Sequence, residues 1–186
     1  MKKIVLLALA GSAFAATPAY ADVTGTIYLH GSVAPKCVVD PGNGSTFTDD
    51  VYFGELAQAN GTLRTGLASD FGTRSFTVRC NTGTPTISVD ADPLATLASA
   101  PSGYDNSIDY TASVAVTAVG TNNGPFTNDS DTAASPAAAV GSALANSASN
   151  VQITTSNYHT NSPGNTDLLV ADPTYLGKIT VVIAPN

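Results

Sequence analysis

The chain has no tryptophan, one methionine, two cysteines and two histidines in 186 residues, and only 11% of it is charged. Each shortage closes a class of function. Lysine and arginine number seven, and two of these, Lys2 and Lys3, fall in a stretch expected to be removed. Five basic residues then remain (Lys36, Arg64, Arg74, Arg79, Lys178) against fourteen acidic ones, a net charge of −9. No basic patch is left to hold a phosphate backbone, which excludes nucleic acid as a partner. After the first 21 residues no apolar run approaches the roughly 20 residues that a membrane helix needs. Of the two histidines, His30 lies on the polar face of an alternating run and His159 in a turn-rich loop, so neither reads as catalytic. Serine and threonine are plentiful, but none is paired with a base and an orienting carboxylate, and no GxSxG or HExxH motif occurs. Asn128-Asp129-Ser130-Asp131 lacks the glycine and bidentate glutamate of a calcium loop and reads as a solvated acidic loop. An enzyme has no constellation to stand on, and no cofactor, metal or small-molecule substrate is expected. The missing tryptophan and the few loop aromatics also count against stacking on sugars.

What is present begins with an export signal. Lys2 and Lys3 precede the apolar run Ile4 to Ala10, and small residues follow up to Ala19-Tyr20-Ala21. This is the pattern of a secretory signal peptide over residues 1–21, with cleavage after Ala21; Ala13-Phe14-Ala15 offers a second site. Export places Cys37 and Cys80 in an oxidising compartment, where a disulfide is the default reading. Cys37 is in phase with Val33 and Val39, and Cys80 with Phe76 and Val78, so both thiols face the apolar side of their strands. Closing that loop contributes about 4 kcal/mol in the chain-entropy model. Neither cysteine has a nearby histidine or a CxxC partner, so a metal pair is not expected.

Alternation dominates the remainder. Val23, Gly25, Ile27, Leu29 and Gly31 form one face of a run whose other face is Thr24, Thr26, Tyr28 and His30, the period of two of a half-apolar strand. Val33, Pro35, Cys37 and Val39 continue that phase. Val51–Gly54 reads as a short strand, Gln58 to Gly72 as a loop, and Phe76–Cys80 as a strand that turns through Asn81–Thr84 into a hairpin partner, Thr86–Ala91. Ile108, Tyr110, Ala112, Val114 and Val116 make one face of a longer strand. Thr121–Asn150, mostly Ala, Ser, Asn, Gly and Asp, reads as a low-complexity inserted surface loop with room for a short helix around Ala137–Ala145. Val151–Ile153 is a brief strand, and Ile179, Val181 and Ile183 are the apolar face of the final one. Six or seven short strands with turn clusters between them and no long helix predict an all-β immunoglobulin-like sandwich over residues 32–186. After Ile183 only Ala184-Pro185-Asn186 follow, so the expected sandwich is incomplete, with its last strand missing and a spare strand at residues 22–31.

Four of these stretches together resemble pilin subunits of the chaperone–usher pathway, in the archaic or spore-coat-protein-U-like branch. They are the N-terminal alternating strand with Gly25 in it, Phe53-Gly54, the run Val78-Arg79-Cys80-Asn81-Thr82-Gly83-Thr84 with its following strand, and the terminal strand entered through Tyr175. The chain departs from the family in ending on Ala184-Pro185-Asn186 and in the Thr121–Asn150 insertion. The resemblance implies a fimbrial subunit assembled by donor-strand exchange: residues 22–31 of one copy enter the groove of the next, with Val23, Gly25, Ile27, Leu29 and Gly31 facing in. Gly25 would pass over a bulky side chain. Ile179, Val181 and Ile183 would be the acceptor and chaperone-facing strand. Implied partners are neighbouring pilin subunits, a periplasmic chaperone and an outer-membrane usher, and the implied location is the cell surface. The alternative reading is a self-complemented secreted sandwich that binds a surface or ligand through its loops.

Overall fold

The computed structural model of the protein describes residues 25–42 and 44–186. The chain divides into one unit ending at Val33 and another running from Ala34 to Asn186. In the first unit, residues 25–33 have no regular secondary structure, and Ile27, Tyr28, Leu29 and Val33 are exposed. The strand expected over 22–31 is therefore not formed at residues 25–31. An extended segment keeps β-structure only where a neighbour takes its peptide groups, and these residues have no ladder partner among the described residues. The expected signal peptide, and Val23 of the expected donor strand, lie outside the described residues.

The second unit is all-β. Its strands are β1 (Cys37–Asp40), β2 (Arg74–Cys80), β3 (Thr86–Ala95), β4 (Tyr104–Asp105), β5 (Ser107–Ala118), β6 (Thr121–Asp129), β7 (Ala138–Ala139), β8 (Val151–His159), β9 (Leu168–Leu169) and β10 (Leu176–Ala184). One short helix, α1 (Leu67–Phe71), is interposed. The main strand order is β1-β2-β8-β5-β3-β10, antiparallel throughout, with β6 added on β5 and β7 on β3. A parallel pair, β4 with β9, stands apart. No helix among the described residues is long and apolar enough to cross a membrane.

The period of two builds this core. Ile108, Tyr110, Ala112, Val114, Val116 and Ala118 of β5 are all buried, and so are Ile87, Val89 and Ala91 of β3. Val78, Val151 and Ile153 join the main cluster from β2 and β8, together with Phe71, Val140 and Leu144. A second cluster of Leu63, Leu67, Leu94, Ile108 and Leu169 forms beside it, and Phe53, Leu56, Tyr158 and Tyr175 pack against it. The stretch Gln58–Gly72 is thus more than a loop: it carries α1 and places Leu63, Leu67 and Phe71 inside.

Two other expectations are corrected. Thr121–Asn150 is neither an inserted loop nor a helix: it contributes β6 and β7 and buries Val140 and Leu144. Its polar residues do the work that apolar ones do elsewhere. The Val89 amide donates to Ser135 Oγ (2.9 Å) and the Ala91 amide to Asn128 Oδ1 (2.8 Å). On β2, the Val78 amide donates to Asn150 Oδ1 (2.8 Å), and Asn150 Nδ2 returns a bond to the Val78 carbonyl (2.7 Å). Each side chain replaces a ladder partner and satisfies buried peptide groups. Val51–Gly54, expected as a strand, has no ladder, although Val51 and Phe53 are partly buried and Tyr52 is exposed. Its alternation is real, but among the described residues no strand pairs with it.

Candidate functional site

Among the described residues, the two end strands of the order, β1 and β10, each have one edge without a strand on it. Between them lies an apolar groove of about 1490 Å³. Ile179, Val181 and Ile183 of β10 line one side. Cys37 and Val39 of β1, followed by Phe47, Val51 and Phe53, line the other. Phe76, Val78, Tyr110, Ile153 and Tyr158 form the floor. Most of these side chains are only partly buried while packing on the main core, so the groove is core surface left without its cover.

The backbone tells the same story. β10 pairs with β3 from Lys178↔Asp92 to Ala184↔Thr86. Among the described residues its other edge makes no backbone hydrogen bond. By contrast, the edge of β3 facing away from β10 is filled: β7 takes residues 86–87, Ser135 takes Val89, Asn128 takes Ala91, and β5 takes residues 94–95. One side of the fold is closed, partly by side chains, and the other stands open. An unpaired strand edge beside exposed apolar surface is a template for a further strand.

β1 has only four residues, and several bonds tie it down. Cys37 and Cys80 are register partners across β1 and β2, and they form the expected disulfide, with Cα atoms 4.1 Å apart and a sequence separation of 43. Asn81 accepts the Lys36 amide (2.7 Å) and donates to the Ala34 carbonyl (2.9 Å). Arg79 pairs with Asp40 at 2.8 Å. The disulfide fits an oxidising, extracytoplasmic compartment.

On the floor, Tyr110 and Tyr158 stack with ring centroids 5.4 Å apart, and Phe53 meets Tyr158 edge-on at 6.0 Å. The Tyr110 hydroxyl is shared between the carbonyls of Asp92 (2.8 Å) and Lys178 (3.2 Å), locking β3 to β10 where their register shifts between Leu176 and Lys178. Burial pushes its pKa well above the ordinary tyrosine value, and Tyr158, Asp92 and Asp109 add to the shift. Burial also raises Tyr158, although its bond to Thr155 works against the shift. At the bulge sits Gly177, where a Cβ would come within 3.1 Å of Leu94 Cα and 3.2 Å of the Pro93 carbonyl oxygen.

Of the residues singled out from sequence, Cys37, Ile179, Val181 and Ile183 come together around one groove, and Cys80 is bonded to Cys37 beside it. Gly25, Ile27, Leu29 and Gly31 lie in the other unit, where a Cβ added at Gly25 or Gly31 would meet nothing within 4 Å. Asn128–Asp131, expected as a solvated acidic loop, instead begins at the end of β6, with Asn128 and Ser130 buried: Asn128 holds Ala91, Asp129 accepts the Thr111 hydroxyl at 2.5 Å, and Ser130 Oγ accepts the Tyr110 amide. His159 ends β8 rather than lying in a loop, and its Nδ1 contacts the Asn157 carbonyl. The sequence reading missed Phe47, Arg64, Arg74 and the aromatic floor; the odd-numbered run Phe47, Val51, Phe53 was the available signal. No family model matches the chain, and neither a curated protein nor a solved structure matches it.

Proposed function

We propose that the protein is a structural subunit of an extracellular filament or coat, an immunoglobulin-like sandwich that lacks its last strand and takes residues 22–31 of a neighbouring copy into its groove. The observation that carries this reading is the unpaired edge of β10 beside an uncovered apolar groove. Two further features support it. β10 is nine residues long, and the alternating run Val23–Gly31 has the same length, a span of about 30 Å for a strand. Ile27 and Leu29 expose their side chains, at 85% and 91%, so the same chain carries an apolar strand sequence and a place for one. Burying Val23, Ile27 and Leu29 would gain about 1.5–3 kcal/mol each before entropy costs, and pairing along β10 adds to this. Such a contact joins two different surfaces of one molecule, and contacts of that kind propagate into open fibres unless a ring closes.

By its resemblance to chaperone–usher pilins, the subunit would be exported, held by a periplasmic chaperone lying in the groove, and passed through an outer-membrane usher to the cell surface. It does no catalysis in this reading.

A complementation experiment tests it. Ile27→Asp removes the donor and leaves the groove; Val181→Asp spoils the groove and leaves the donor. Each variant alone should stay monomeric in sedimentation velocity while the parent forms long assemblies. Mixed, they should form one-to-one dimers and nothing longer. A mixture that fails to associate, or single variants that polymerise like the parent, would falsify the proposal. A parent that is monomeric and is destabilised by Ile27→Asp would point instead to a strand completing its own domain.

A further inference from the structure

Very little chain separates residues 22–31 from the folded body. Asn81 donates to the Ala34 carbonyl (2.9 Å) and accepts the Lys36 amide (2.7 Å), so the backbone is fixed from Ala34 onward. Only Ser32 and Val33 lie between Gly31 and that point. Three steps of extended chain span about 10 Å. A copy that gives its N-terminal segment therefore brings its own body against one end of the acceptor's β10. The residues at that junction are Val33, 82% exposed, and Lys36, also exposed. Lys36 is the odd cation of the molecule. Arg64, Arg74, Arg79 and Lys178 face Asp70, Asp49, Asp40 and Asp92, whereas among the described residues Lys36 has no carboxylate within ion-pair distance.

The start of β10 offers the counterparts. Leu176 opens the strand 76% exposed, and Leu97 stands wholly in water two residues beyond Ala95, the ladder partner of Leu176. The two leucines line a cavity of about 420 Å³ together with Ala95, Thr96, Asp172 and Thr174. The Asp172 carboxylate accepts the hydroxyl (2.5 Å) and amide (2.7 Å) of Thr174, which hold its carboxyl below the usual carboxylate range. Among the described residues no cation pairs with it. Adjacent apolar side chains in water beside an unneutralised charge mark a contact surface. Direction decides whether the junction reaches it. A segment antiparallel to β10, the sense of every ladder in the main order, sets Gly31 beside Leu176 and delivers Val33 and Lys36 to this cavity. A parallel segment would deliver them about 27 Å away, at Ala184.

We infer that Leu97, Leu176 and Asp172 form a seat for the body of the next copy, with Val33 packed on the two leucines and the Lys36 ammonium on the Asp172 carboxylate. This rests on the reading that the groove takes residues 22–31 of a neighbour. It adds that the segment runs antiparallel to β10 and that successive bodies meet at one fixed angle.

The mixed pair of full exported chains carrying Ile27→Asp and Val181→Asp tests this, because it contains a single junction. The accepting Ile27→Asp protein is made with nitrogen-15. The pair is treated with a water-soluble carbodiimide, which condenses an amine and a carboxylate in contact to an amide and leaves as its urea. Mass spectrometry of the digest should find light Lys36 joined to heavy Asp172. Leu97→Ser in the accepting protein changes a side chain already in water, so it should leave Tm unchanged while weakening the pair about tenfold. Lys36→Asp in the giving protein should weaken the pair, and Asp172→Lys in its partner should restore it. A pair at full strength with Leu97→Ser, or one in which light Lys36 joins another heavy carboxylate or none, overturns the seat and leaves the groove reading standing. A pair that never forms overturns both.

Discussion

Tyr110 has its ring stacked on Tyr158 and its hydroxyl on two main-chain carbonyls, so its ionisation reports directly on the packing of the groove floor. An unfolded chain releases a tyrosine proton near pH 10. In the folded protein burial, with neighbouring charge, holds that proton well above this pH. The folded state therefore binds more protons at high pH, and stability falls as pH rises past about 10. Tyr110→Phe removes the ionising group, and its loss of the carbonyl bonds costs about 1 kcal/mol at neutral pH. The variant should have a lower Tm than the parent at pH 8 and a flatter decline of Tm between pH 9.5 and 11.5. Parallel declines would mean that Tyr110 already ionises freely in the fold. That this tyrosine faces the core was legible from its place among Ile108, Ala112 and Val114. Its second role was not, because Lys178 lies 68 residues away in sequence.

The edge strand β10 shows how local pattern and long-range geometry divide the information. The alternation of Ile179, Val181 and Ile183 marks the face turned to the core without any knowledge of a partner. Gly177 is in the same phase, but it serves a different purpose. It lets the bulge pass against Leu94, where every atom a Cβ would meet within 3.2 Å is backbone. Backbone cannot rotate aside as a side chain can, so Gly177→Ala should cost about 1–3 kcal/mol, read as a lower denaturant midpoint with an unchanged slope. A change in slope would mean that β10 has detached from β3. The segment Thr121–Asn150 was misread for the complementary reason. Its composition has little to bury, but Asn128, Ser135 and Asn150 act on peptide groups 37, 46 and 72 residues away. No window of sequence contains both halves of such a bond. The same limit hid the aromatic floor, which gathers residues from Phe76 to Tyr158.

At the scale of the molecule, the all-β class and the disulfide followed from alternation and cysteine phase, and both are present in the structure. The strand order was beyond the sequence, and the order is what sets one open edge against one closed one. The closed edge of β3 is finished by the side chains of Ser135 and Asn128, which offer no further row of amides and carbonyls for another strand to read. In the language of polymers, this fixes valence. In the proposed assembly the groove beside β10 accepts one strand, and if each molecule also gives one, chains grow end to end without branching. Ser135→Ala, or Asn128→Ala at a cost of about 1–3 kcal/mol for the stranded Ala91 amide, would expose a second seam. Electron micrographs of assemblies of such a variant should show forks and lateral clumps where the parent gives single threads; unbranched threads from both variants would show that the seam stays shut without those side chains. Two polar residues in an unpromising stretch would then decide whether the product is a thread or a gel.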